Sequence, residues 1–242
     1  MKPAIVIPAL DEADYLEDTV RACRAAAGEE GLEAVLVDGG SSDETVALAR
    51  RLGLTVITSP PGRGVQMNAG AAATLGDPIV FLHADTRLPH QAFAAIERTL
   101  ADQRVVSGSF PIRLDAPGLA YGLVAAMANL RTRLDRTPYG DQGLFVRREA
   151  FVRVGGFPAV PLLEDVILAR KLRKVGRHVF PAGPPLVTSA RRWSSDGMVA
   201  TTLGNWFVRL AWELGVAPER LARFYHRRHG RRRPIDKNFP LF

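Results

Sequence analysis

The sequence contains one cysteine, Cys23, so no disulfide can form within its 242 residues. Cys23 shares one face of a helical pattern with Leu16, Val20 and Ala27, which marks it as a buried apolar residue rather than a nucleophile. No apolar run reaches the ~20 residues that a bilayer-spanning helix needs; the longest extends from about Gly118 to Leu130. Met1-Lys2-Pro3 leads straight into a strand without the charged, apolar and small-residue order of a secretory leader, so the cytoplasm is the expected compartment. Repeats and low-complexity tracts are missing as well. With 47% apolar and 24% charged residues, the chain reads as one large α/β domain with at most a small extension.

Two nucleotide signatures are also absent. No Gly-x-Gly-x-x-Gly follows the first strand, and no loop ends in Gly-Lys-Ser/Thr, which argues against hydride transfer and against P-loop chemistry. The net charge of +7 is not spread over the chain. Residues 218–242 hold eight Arg and Lys against Glu219 and Asp236, leaving the preceding residues at +1. Such a tail, with Arg227, Arg228 and Arg231 to Arg233, suits a contact with anionic lipid headgroups or nucleic acid, a solvated terminal charge run being the more common case. Nucleic acid is not an expected partner.

Apolar runs at Ala4–Pro8, Ala34–Val37, Thr55–Thr58 and Ile79–Leu82 alternate with helical patterns starting near Glu12, Asp43, Val65 and His90. Strand and helix in alternation predict a mostly parallel sheet whose ligand site lies at the carboxyl ends of its strands. A strand is expected near Ser107–Ile112, then a long apolar helix from about Gly118 to Leu134 and a loop at Pro138–Gly143. A helix at Val166–Val175, short strands within Arg177–Val187, and a helical stripe of Val199, Leu203, Trp206, Leu210 and Leu214 complete the reading.

The segments at the strand ends carry the chemistry. Pro8-Ala9-Leu10-Asp11-Glu12 opens a helix where backbone amides and a carboxylate can hold a base or ribose, although Asp11 could simply cap the helix. Asp38-Gly39-Gly40-Ser41-Ser42-Asp43 sets a carboxylate before two glycines, suited to a uracil or ribose edge, with Ser42 or Asp43 free to cap the next helix. Gly62-Arg63-Gly64 places an arginine at a helix start, for a phosphate or base carbonyl, or else forms a surface turn. His83-Ala84-Asp85 reads as an extended segment with both side chains on one face, able to reach a divalent metal, Mn²⁺ or Mg²⁺; the competing reading is a turn beginning at the strand end.

Further along, Asp141 and Gln142 suit sugar hydroxyls, the competing reading being an ordinary Asp-bearing turn. Glu164 and Asp165 stand at a helix start, which favours their ionised forms and leaves one as a general base. Arg191-Arg192-Trp193 pairs a cation with an aromatic, fit for a diphosphate and a sugar ring.

With these pieces in this order, the chain resembles the family 2 glycosyltransferases of GT-A fold from Ile5-Val6-Ile7-Pro8 through Arg192-Trp193, and among them the small bacterial group whose metal segment reads Phe-Leu-His-Ala-Asp-Thr, here Phe81 to Thr86. The resemblance implies that Pro8, Leu10, Glu12, Asp38 and Arg63 surround the nucleotide of a nucleoside diphosphate sugar, UDP-linked by preference, with Arg192 at its diphosphate. It implies a metal on Asp85, with His83 where many relatives have a first Asp. Asp165, with Glu164, would deprotonate a hydroxyl of a small or lipid-linked acceptor and invert the anomeric centre, while Asp141, Gln142 and Trp193 face the acceptor. Processive relatives carry Gln-x-x-Arg-Trp where this chain has Ser189-Ala190-Arg191-Arg192-Trp193, so single transfer is expected.

The expected organisation is a GT-A domain at 1–195, split into a nucleotide half (1–104) and an acceptor half (105–195), followed by a helical, basic extension at 196–242. Two rival functions remain at this level. A nucleotidyltransferase would normally place a Gly- and Lys-rich phosphate loop after the first strand, yet Pro8–Val20 has neither residue. A non-catalytic module docked at the inner membrane face would rest on the apolar helix and the tail.

Overall fold

A computed structural model of the chain describes residues 2–28 and 31–228. The tail arginines 231–233 lie outside the described residues. Two compact units emerge, Met1–Ala190 and Arg191–Phe242.

The first unit is built on a seven-stranded sheet. Its strands are β1 (Ala4–Ala9), β2 (Glu33–Asp38), β3 (Thr55–Thr58), β4 (Ile79–Phe81), β6 (Val105–Gly108), β8 (Leu144–Val146) and β9 (Arg177–Val179), in spatial order β3-β2-β1-β4-β8-β6-β9. Only β8 runs against the others. A second, three-stranded sheet has the order β5 (Thr86–Arg87), β10 (Leu186–Thr188), β7 (Ile112–Leu114). The single strand expected at Ser107–Ile112 is therefore two strands in two sheets, parted by Ser109–Pro111.

β1 is apolar along its whole length because helices cover both faces, as parallel sheets require. Ile5, Ile7 and Ala9 face α1 (Ala13–Ala27), where Leu16, Val20 and Cys23 are fully buried, and the same core includes Ile96 and Leu100 of α4 (Ala92–Leu100). Val6 faces the opposite core of Val35, Val37, Phe81, Phe151 and Phe157, with Met67 and Ala71 of α3 (Arg63–Ala72). The approach of α3 is close. A Cβ on Gly70 would stand 2.3 Å from Val6 Cγ1 and 2.9 Å from Val37 Cγ2, so no side chain fits there without repacking. The remaining helices of this unit are α2 (Thr45–Arg51), α5 (Leu119–Asp135), α6 (Arg148–Arg153) and α7 (Glu164–Leu172).

The second unit holds α8 (Arg191–Asp196), α9 (Met198–Glu213) and α10 (Pro218–Arg228). The stripe Val199, Leu203, Trp206, Leu210 and Leu214 falls on α9 and the turn after it, and each of its members is more than half exposed. No helix among the described residues is long and apolar enough to cross a membrane.

Candidate functional site

Six of the seven strands share one direction, so the loops after β1, β2, β3 and β4 emerge along one edge of the sheet. The first two are laced together. Asp11 lies in the left-handed region (φ 55°); its carboxylate accepts from Ser42 N at 2.8 Å while its amide donates to Ser41 Oγ at 3.0 Å. The exposed amides at the start of α1 are met by the neighbouring loop: Glu12 N donates to Thr45 Oγ1 (2.8 Å) and Ala13 N to Asp43 Oδ2 (3.1 Å). Asp11 therefore does not cap its own helix; the β2 loop does so from across the sheet edge. Asp38, buried at the end of β2, accepts from the amides of Gly40 and Ser41 at 3.0 Å each. It shapes its own loop and still has acceptor capacity to spare. Pro8 is buried, and Leu10 and Glu12 are half-buried beside it.

α3 fixes this edge from behind. Gln66 is buried and its Nε2 donates to Ala9 O and to Val37 O, both at 2.9 Å, pinning the ends of β1 and β2 to the helix. Asn68 grips Phe157 from both sides, Nδ2 to Phe157 O and Phe157 N to Oδ1, each 2.9 Å. The sequence reading gave neither residue a role. At the tip of α3, a Cβ on Gly64 would lie 2.7 Å from Pro158 O, and this close packing brings Arg63 Nε to 2.9 Å from Glu164 Oε1. Two residues expected in different roles, donor binding and catalysis, thus form one ion pair, with Glu164 buried and Arg63 partly exposed.

His83-Ala84-Asp85-Thr86 is a turn closed by Thr86 N donating to His83 O at 3.1 Å, not the extended segment expected from sequence. Leu82 N bonds Val6 O and thereby ends the ladder to β1, so the chain reverses at once and its two polar side chains share a corner rather than a strand face. Asp85 and His83 are both half-buried there. The imidazole abuts the loop after α5: a Cβ on Gly140 would stand 2.4 Å from His83 Nε2 and 3.5 Å from Asp165 Oδ2. Gly140 N in turn donates to Asp165 Oδ2. His83, Gly140 and Asp165, widely separated in sequence, therefore meet at one point.

Asp165 is the second residue of α7, which follows Leu163, whose φ of 67° is unusual for a bulky side chain. Its Oδ1 also accepts from Val166 N at 2.7 Å. The helix start was expected to favour the ionised carboxylate, but burial outweighs it. Desolvation, reinforced by Glu164, raises the Asp165 carboxyl from 3.8 to about 7, against the pull of Arg63 and the two amides. A buried carboxylate poised near neutrality suits a general base.

Gly140–Gln142 forms a single 3-10 turn. Gln142 is buried, and its Oε1 accepts from the Thr132 hydroxyl (2.9 Å) and from Tyr139 N (3.1 Å). Its carbonyl half thus holds the turn together; the Nε2 half makes no hydrogen bond among the described residues. Asp141 is half-buried on the same turn. Arg192 and Trp193 lie on α8 of the second unit, where Arg192 Nη1 donates to Tyr225 Oη at 2.8 Å.

No group of three or more His, Cys, Asp or Glu among the described residues is placed to hold a metal by itself. The donor set that is present, one carboxylate and one imidazole on a single turn, fits a hard divalent ion that takes its other oxygens from a diphosphate. Gly140, whose bare Cα leaves His83 room, is part of that cradle.

A structure of S. aureus TarS (residues 1–349) in complex with UDP-GlcNAc superposes over 95% of this chain and 72% of its own length, with a TM-score of 0.64 and 14% identity. A structure of Mycobacterium tuberculosis glucosyl-3-phosphoglycerate synthase with Mn²⁺, UDP-glucose and phosphoglyceric acid covers 84% of this chain and 78% of its own, with a TM-score of 0.54 and 20% identity. In sequence, the glucosyl-3-phosphoglycerate synthase of Mycolicibacterium paratuberculosis is 31% identical over an alignment of 101 residues that covers 37% of this chain and 30% of that protein. The chain thus spans under a third of that curated relative. The structures share the α/β fold with its mostly parallel sheet, and the model of glycosyl transferase family 2 matches residues 4–155, from β1 through α6. On that match the chain belongs to family 2 of the glycosyltransferases.

Proposed function

We propose that this protein moves a sugar from a nucleoside diphosphate sugar, UDP-linked by preference, to a hydroxyl of an acceptor by single displacement. The observation that carries the reading is the convergence of His83, Gly140 and Asp165 at the carboxyl edge of the sheet, where ligands of open α/β folds bind. The laced loops of Asp11 and Asp38, with Pro8, Leu10 and Glu12, form the floor for the nucleotide. Arg63 holds Glu164, and Glu164 keeps Asp165 basic. Asp165 takes the proton of the acceptor hydroxyl; the acceptor oxygen bonds to the anomeric carbon as the bond from that carbon to the diphosphate breaks, with inversion. The nucleoside diphosphate leaves carrying the bonding electron pair.

Asp85, with His83, would hold a divalent Mn²⁺ or Mg²⁺, which supplies charge neutralisation to the diphosphate when bound. The solved relatives that carry UDP-sugars, one of them with Mn²⁺, support the donor and metal classes. The test is thermal shift against a panel of nucleotide sugars with Mn²⁺ or Mg²⁺, wild type beside Asp85→Ala. A metal-dependent rise with a UDP-sugar, lost in the variant, is expected. No rise with any donor would overturn the reading, and release of nucleoside monophosphate or pyrophosphate in place of nucleoside diphosphate would move the protein to nucleotidyl transfer.

A further inference from the structure

A cavity of about 480 Å³ opens beside β9 and is lined by Arg133, Arg136, Arg177, His178, Phe180 and Gly183 among others, with no acidic side chain in its wall. Three arginines from two separate segments line it. Arg177 is paired with Asp102 at 3.0 Å, and the nearby Asp135 is paired with Arg131. Arg133 and Arg136 form no ion pair among the described residues. Arg136 is held in the left-handed region (φ 52°) at the end of α5. Behind them His178 is buried between Ser107 Oγ (3.0 Å from Nδ1) and Ser109 Oγ (3.2 Å from Nε2), with Phe180 edge-on to its ring. Burial, then Arg173 and Arg136, push its pKa down to about 3 although Asp135 opposes them, so the imidazole stays neutral, with both ring nitrogens engaged by the two serines.

The cavity runs along β9, and the end formed by Pro111 and Phe180–Gly183 lies at the same edge of the sheet as the candidate site, whereas Arg177 starts the strand at the other end. β4, β6 and β9 run in one direction with only β8 reversed between them, so Pro111 after β6 and Phe180–Gly183 after β9 emerge on the side where His83 follows β4. At a strand spacing of ~4.8 Å, the ends of β6 and β9 lie roughly 10–15 Å from that of β4. The wall is also continuous with the turn of Asp141: Phe110 N, one residue before Pro111, donates to Gln142 O at 2.8 Å.

We infer that this cavity receives an anionic group, a phosphate or a carboxylate, carried by the sugar acceptor roughly 10–15 Å from the hydroxyl that is glycosylated. The assignment to an acceptor rests on the glycosyl-transfer reading; the anion site itself does not. Arginine forks recognise phosphate and carboxylate oxygens in pairs.

The test is ¹H–¹⁵N NMR of the full chain titrated with sodium phosphate against chloride at matched ionic strength, followed at the His178 ring and the Gly183 amide. UDP is titrated in parallel. Saturable, phosphate-specific shifts are expected in wild type, weakened about tenfold or more by each of Arg133→Gln and Arg136→Gln while UDP binding is unchanged. UDP binding without phosphate-specific shifts, or shifts that both variants retain, would overturn the site and leave the transferase reading standing. Phosphate shifts without binding of any nucleotide would instead overturn the transferase reading and, with it, the assignment of the anion to a sugar acceptor.

Discussion

Replacing Asp165 by Asn separates what the site needs from what the fold prefers. In the native protein the carboxyl is raised from 3.8 to about 7, so between those values the folded chain binds a proton that the unfolded chain does not. The sign follows from linkage: the stability this group contributes is complete below about pH 4 and is lost as pH rises through about 7. Some three units at 1.36 kcal/mol each set a ceiling of about 4 kcal/mol on that loss. Asn is neutral throughout and escapes it. Against this gain, Asn has one carbonyl oxygen where Asp165 uses two, for Val166 N and Gly140 N, so one amide goes unmet at a cost of about 1–3 kcal/mol at every pH. Asp165→Asn should therefore be the less stable protein near pH 4 and the more stable one by about 1–3 kcal/mol near pH 8, the two curves crossing in between. Urea unfolding across that range, with midpoints compared at constant m, measures the difference directly. Parallel curves would refute the reasoning, because they would mean that the Asp165–Glu164 pair carries no extra proton in the folded state. Under the proposed chemistry the same variant retains donor binding and loses transfer.

Two further outcomes test the construction around that carboxyl. Gly140→Ala should lower turnover by about 10²-fold or more, because its Cβ would overlap the His83 ring and displace either the imidazole or the turn; wild-type kinetics would show that their contact is incidental. Gln66→Leu should cost about 2–4 kcal/mol in urea unfolding, since Ala9 O and Val37 O both lose their side-chain donor inside the core, and a loss below about 1 kcal/mol would mean that the clamp is dispensable.

Much of the parallel sheet was legible because β1, β4 and most of β2 are buried on both faces and stand out as short apolar runs between turns, while the partly exposed edge strand β3 stands out by its β-branched residues. Thr55–Thr58 coincides with β3, and the loops after β1, β2 and β4 fall where those runs stop. Asp38, Asp85 and Asp165 were visible for the same reason, as charges placed where an apolar segment ends or a helix begins. What the sequence hid is what depends on docking. Gln66 is one more polar residue in a helix until α3 is laid across the ends of β1 and β2. Gly140 is one glycine in a loop until His83 fills the space where its side chain would be. The partnership of Arg63 with Glu164 joins segments about a hundred residues apart and leaves no local pattern. His83–Thr86 misled because a two-residue spacing looks the same in a strand and in a turn, and only the end of pairing at Leu82 decides between them.

The lacing of the first two loops bears on how such a protein can acquire a new donor. The start of α1 is capped by Asp43 and Thr45, and the turn after β2 is held in part by Asp11, so neither loop keeps its shape once the other is replaced. The structural unit at this edge is both loops together with the glutamine that pins them. If these loops hold the nucleotide as proposed, transplanting one of them from a relative of different base preference would break the bonds between the two, whereas moving both together would keep them.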